Sequence, residues 1–198
     1  MIKKFKRAFR HVRDIIINPR RYFTKIVADG NMEEAMFKAF LWGLLGGLLV
    51  FTINMLTGAS FTIGALFNAL IITPVIAVGI LFVMGGLLML VSEITGGERD
   101  WEIAIKSLAS VFFMYPVILG VNALAFNCTS IWIISILVDL YILFLFYNIA
   151  LYAMRGNKGN VVMVFAIIAM FLVTVYATDY RMGWFVLKNN SAAFACLE

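Results

Sequence analysis

Five long apolar runs decide what this chain can fold into: Ala39–Thr57, Gly64–Val91, Ile105–Phe126, Ile131–Met154 and Val161–Thr178. Each is close to the ~20 residues an α-helix needs to cross the hydrocarbon core of a bilayer. Inside lipid only helices and closed barrels satisfy every backbone N–H and C=O. The expected fold is all-α, a polytopic membrane protein built as a five-helix transmembrane bundle. Composition points the same way. The 198-residue chain is 63% hydrophobic and 14% charged, whereas a soluble domain is about half apolar and about a quarter charged. A water-soluble core has no room for that excess.

The first 38 residues hold ten of the sixteen Lys and Arg residues. Ile2, Phe5, Phe9, Val12 and Ile16 recur at helical spacing, and bases cover the remaining positions. This predicts an amphipathic interfacial helix over residues 1–17, too short and too charged to span. Its expected lipid-surface contacts are Lys3, Lys4, Phe5, Lys6, Arg7, Phe9 and Arg10, joined beyond the Asn18-Pro19 break by Arg20 and Arg21. The other reading packs the same apolar face on the protein's own loops. His11, the single histidine, reads as a polar-face residue. No secretory leader is expected, because the first long apolar run begins near Ala35.

The polar stretch Glu93–Pro116 is the main interruption of the hydrocarbon. Gly96-Gly97 is expected to end the second span, since glycine adopts the left-handed conformation that closes many helices. Asp100 is placed to cap the next helix, and Glu102 precedes Lys106 by four residues, the favoured order for a helical ion pair. Glu93, Gly96, Gly97, Glu102 and Lys106 define this elbow. Glu34 and Lys38 repeat its ion-pair device at the start of the first span. Gly43 and Gly47, four apart, allow another helix to approach closely. Pro74 and Pro116 are expected to break the second and third spans.

Residues 18–34 then read as a cytoplasmic linker leading into the first span, 35–178 as the five-span domain and 179–198 as a polar tail. The closing Leu197-Glu198 reads as a cloning remnant. With five spans, the N-terminal segment, the elbow and the basic 155–159 turn fall on one side, carrying fourteen of the sixteen bases. The positive-inside rule makes that side cytoplasmic and puts the C-terminus outside.

Asn18-Pro19 with Tyr22-Phe23, the Ala35/Lys38-led first span, the Gly96-Gly97 elbow and the Tyr115-Pro116 step together resemble Yip-domain proteins, over nearly the whole chain. The resemblance implies a non-catalytic integral membrane protein that organises membrane or binds protein and lipid partners. Eukaryotic members of that family are associated with Rab-type GTPases. The short N-terminal segment here lacks their long cytosolic extension, which points instead to a bacterial-type member in a prokaryotic plasma (inner) membrane.

No metalloprotease, serine-hydrolase or phosphate-loop motif is present, and Cys128 and Cys196 lack metal-ligand spacing. No enzyme activity, metal or cofactor is expected. The expected partners are the bilayer and its anionic lipids, other membrane proteins or further copies of the chain, with nucleic acid excluded. Asp139 stands inside the fourth predicted span, where an ionised carboxylate costs at least ~2.5 kcal/mol. With Ser135, Tyr115 and Asn122 it forms a candidate proton, cation or interhelical polar site. That site motivates the alternative function, a small transporter or channel subunit.

Overall fold

The computed structural model describes residues 12–25, 31–58, 60–127 and 132–189, with no strand among them. Helix α1 covers residues 12–17 and α2 Pro19–Lys25. Helix α3 is Met32–Leu56. Helix α4 (Ile63–Phe67) runs through a π-helical turn, Asn68–Ile72, into α5, Thr73–Ile94. Helices α6 (Trp101–Val111) and α7 (Met114–Asn127) follow. Helix α8 (Trp132–Asn148) ends in a second π turn, Ile149–Ala153, and α9 is Lys158–Asn189. Among the described residues four helices are long and apolar enough to cross a membrane, or five if the bent pair α6–α7 counts as one span.

Packing is organised on α3, which lies against α5 on one side and α7 on the other. Its glycines set both approaches. A methyl on Gly43 would stand 2.6 Å from Ala77 Cβ and 2.8 Å from Pro74 Cα, and one on Gly47 would meet the Ala69 carbonyl. Gly46 faces Pro116 and Leu119 of α7, and Gly120 of α7 returns the contact against Leu49. Helix association in lipid rests on such close backbone approach, because burying leucine there brings no hydrophobic gain. The surface agrees: Val83, Leu90, Ile133, Leu137, Ile167 and Phe171 point outward, while Ala39, Ala77, Ala104, Ala109 and Ala150 are buried.

Both prolines act on the turn that precedes them. A proline lacks the N–H that would bond the carbonyl four residues back, and its ring crowds that carbonyl. Before Pro74 the chain widens into the π turn, where the Asn68 carbonyl accepts both the Thr73 N–H and the Thr73 hydroxyl, the latter at 3.0 Å. Before Pro116 the helix breaks at Phe112–Phe113 and turns by 51°. The bend thus precedes the proline by one turn, and Phe112, Phe113 and Met114 bury the irregular backbone. Non-helical backbone at membrane depth survives only under such protein cover or beside water. At the far end, α9 carries the helix beyond Thr178 to Asn189, so the segment expected as a polar tail begins as helix.

Candidate functional site

The elbow is built by local chemistry. Helix α5 closes with Gly96 at φ +72°, the Gly97 N–H reaching the Ser92 carbonyl (2.8 Å) and the Gly96 N–H the Glu93 carbonyl (3.2 Å). These are the two bonds of a Schellman closure, which use carbonyls a helix end leaves bare. The Ser92 hydroxyl donates to the Glu98 carbonyl (2.8 Å) and the Thr95 hydroxyl to that of Val91 (2.9 Å). Asp100 then accepts the N–H groups of Glu102 (2.8 Å) and Ile103 (3.0 Å), capping α6. Lys106 pairs with Glu102 at 2.7 Å, Lys38 with Glu34 at 3.2 Å, and Arg99 lies 3.4 Å from Glu93.

Reading along the chain does not reveal that the 153–159 turn is the other half of this elbow. The Glu98 N–H donates to the Met154 carbonyl (2.7 Å), and the Asn157 N–H returns a bond to the Thr95 carbonyl (2.9 Å). Gly97 and Gly156 meet back to back: a methyl on Gly97 would lie 2.5 Å from the Met154 carbonyl and 3.2 Å from Gly156 Cα. Ser92, Thr95 and Met154 are buried completely. Arg155 adopts φ +55°, a conformation that costs a non-glycine residue about 1–2 kcal/mol. Its guanidinium bonds Glu98 at 2.6 Å, but an exposed pair returns only ~0.2–1 kcal/mol. The backbone bonds, with the Gly156 N–H on the Ala150 carbonyl (3.0 Å) among them, hold the turn. Glycines at both joints and the opposite charges of Glu98 and Arg155 are the sequence signals for this pairing.

Helix α2 docks at the same end, on the second π turn and α8. Ile15 and Phe23 are fully buried, and the Arg20 guanidinium sits 5.3 Å from the centre of the Tyr152 ring. Tyr22 shares a hydrogen bond with the Ser110 side chain of α6. Burial pushes its phenol up from the ordinary value, against the lowering effect of that hydrogen bond, with Glu34 and Asp14 adding to the rise. The apolar stripe differs from the expected one by a residue: Ile15 turns inward and Ile16 outward. The expected contacts Lys3, Lys4, Phe5, Lys6, Arg7, Phe9 and Arg10 lie outside the described residues, as do His11, Cys128 and Cys196.

Of the polar residues expected inside the bundle, Ser135 and Asn122 meet: the serine hydroxyl donates to Asn122 Oδ1 at 2.8 Å. Asp139 is half-buried, one turn along α8 from Ser135. Tyr115 instead stacks on Phe112 (5.7 Å between ring centres) and packs beside Gly46 of α3. No group of three His, Cys, Asp or Glu side chains among the described residues is placed to hold a metal. Comparison with protein families, curated proteins and solved structures returned no match.

The Ser135–Asn122 bond is the kind of interhelical contact that ties bilayer helices together, worth up to about 1–2 kcal/mol. Asp139→Asn preserves shape and hydrogen-bonding capacity beside it. The variant is expected to keep its stability within about 1–2 kcal/mol and to respond to a panel of cations as the wild type does. A cation-dependent shift that only the wild type shows would make Asp139 an ion site.

Proposed function

We propose that the chain is a non-catalytic integral membrane protein of the Yip type, whose elbow end is a rigid surface that organises membrane or holds protein and lipid partners. One observation carries this reading. Three segments far apart in sequence meet at one end: the elbow and the 153–159 turn are joined by main-chain bonds, and α2 docks by buried side chains on the second π turn and α8. These segments contain Arg20, Arg21, Arg99, Arg155 and Lys158 against Glu93, Glu98, Asp100 and Glu102. Arg99 and Arg155 pair with Glu93 and Glu98, so the positive excess lies on α2 and Lys158. In this reading α6 and α7 form one broken span, giving five, and this end, which carries the excess of Lys and Arg, is cytoplasmic by the positive-inside rule. The C-terminal end of α9 then lies outside.

The topology is checked with single cysteines in a background lacking Cys128 and Cys196. Cysteines near Gly30 and Asn157 are expected to resist a membrane-impermeant thiol reagent added to intact cells, while one near Asn189 reacts. Labelling at Gly30 would reverse the orientation. The non-transporting role is tested by ion flux in proteoliposomes. The expected result is no proton or cation flux above that of empty vesicles; flux that disappears in Asp139→Asn would establish the transporter instead.

A further inference from the structure

The face of residues 12–25 that looks away from the bundle is unlike the rest of the elbow end. Val12, Ile15, Pro19, Tyr22 and Phe23 face inward and keep helical spacing straight through Asn18. There the Asn18 side chain accepts the Arg21 N–H (3.2 Å) and the backbone bonds Asn18 N–H to Asp14 C=O and Tyr22 N–H to Asn18 C=O continue the ladder. The two short helices therefore behave as one docked rod. Its exposed residues are Arg13, Asp14, Ile16, Ile17, Asn18, Arg20, Arg21 and Thr24, with Ile16 54% and Ile17 72% exposed.

Depth decides what this face meets. Tyr22 reaches Ser110, near the end of the helix that Trp101 opens, roughly 13 Å along its axis at ~1.5 Å per residue. Ser110 lies about two and a half turns into α6 from the elbow, so in the five-span reading the rod stands beside the bundle, level with the boundary between headgroups and acyl chains. Adjacent isoleucines flanked by arginines are the composition of an element lying in that plane. No ion pair among the described residues involves Arg20 or Arg21; Arg20 stands 5.3 Å from the centre of the Tyr152 ring and remains exposed, and the pair joining Arg13 to Asp14 is a loose, exposed contact at 3.6 Å.

We propose that residues 12–25 form a fixed platform for an anionic lipid surface, Ile16 and Ile17 entering the acyl boundary while Arg13, Arg20 and Arg21 meet headgroup phosphates. This rests on the membrane reading above and gives that partner its chemistry. Basic residues near a membrane draw anionic lipid to the surface, an attraction that salt screens. Docking fixes the register of the rod, so the same residues meet lipid whatever the protein's surroundings.

The test uses the full chain in vesicles of phosphatidylcholine and phosphatidylglycerol, with Ile17→Cys carrying an environment-sensitive fluorophore in a background lacking Cys128 and Cys196. The expected result is blue-shifted emission that iodide cannot quench. Doxyl-labelled phosphatidylglycerol is expected to quench severalfold better than doxyl-labelled phosphatidylcholine. High salt, or Arg13→Gln with Arg20→Gln and Arg21→Gln, is expected to erase that preference while emission stays blue; salt reads the same effect where the triple variant fails to fold. Iodide quenching would mean the face looks into water. Blue emission that neither lipid quenches would mean protein, a second copy or another segment, covers it. Equal quenching by the two lipids would mean no headgroup selection. Each of these three results overturns the platform. The proteoliposome flux assay reports separately on the non-transporting role, so the two fail independently.

Discussion

Adding one methyl at Gly47 is expected to destabilise the bundle by about 1–3 kcal/mol, the range for overpacking a fitted core. The cause is specific. The new Cβ would run into the Ala69 carbonyl, part of the π turn that the chain forms ahead of Pro74. A flexible side chain would swing aside; this obstacle is backbone, held by the bonds that Thr73 makes to the Asn68 carbonyl. Relief requires α3 and α5 to separate, which also breaks the fit of Gly43 against Ala77 and Pro74. Gly64→Ala and Gly79→Ala are the controls, since neither position has a neighbour within 4 Å. Replacing Gly79, in the interior of α5, is expected to be neutral or to stabilise by up to ~1 kcal/mol, and Gly64, in the first turn of α4, to change stability less. Melting temperatures in detergent separate the two classes. A Gly47→Ala protein as stable as Gly64→Ala would show that the helices do not meet at this point.

The features readable in the sequence are those made by near neighbours. Gly96 closing a helix, Asp100 capping the next one, and the pairs Glu34–Lys38 and Glu102–Lys106 each involve residues within four positions of one another. Their geometry follows once a helix is assumed. The apolar runs are equally plain, because lipid demands length and hydrophobicity from any span.

What the sequence conceals depends on which helix stands beside which. In α3 apolar residues occur on every side, so hydrophobic periodicity does not distinguish the face against α5 from the face toward lipid; only the glycines mark it. The offset between Pro116 and the break at Phe112–Phe113 follows from proline's effect on the preceding turn. How far the chain bends there depends on what buries it. The Ser135–Asn122 bond and the union of elbow and turn join helices whose order in space no local pattern records. The one-residue error between Ile15 and Ile16 has the same origin: along three consecutive isoleucines, Ile15, Ile16 and Ile17, composition gives no inward side, and docking against the second π turn selects it.

Gly97→Val is the substitution expected to open that union. Its side chain would have to share space with the Met154 carbonyl and the Ser92 hydroxyl, both 2.5 Å from an ideal Cβ, and with the Gly156 backbone at 3.2 Å. The carbonyl and the buried hydroxyl cannot retreat without losing partners, since Met154 accepts from Glu98 and Ser92 donates back to the Glu98 carbonyl. Each buried polar group left unsatisfied costs about 1–3 kcal/mol, and overpacking adds to it, so a total loss of about 2–4 kcal/mol is expected. Glu98→Gln separates this from the ion pair it accompanies. That variant removes the exposed charge contact with Arg155 and leaves every backbone bond, so its cost is expected to stay under about 1 kcal/mol. Hydrogen exchange at the Glu98 and Asn157 amides reads the joint directly: Gly97→Val should expose both together, because each donates across the same junction, while Glu98→Gln leaves both protected. If Gly97→Val kept both amides protected, the elbow and the turn would be neighbours without being joined, and the rigid face on which the proposed function rests would be lost.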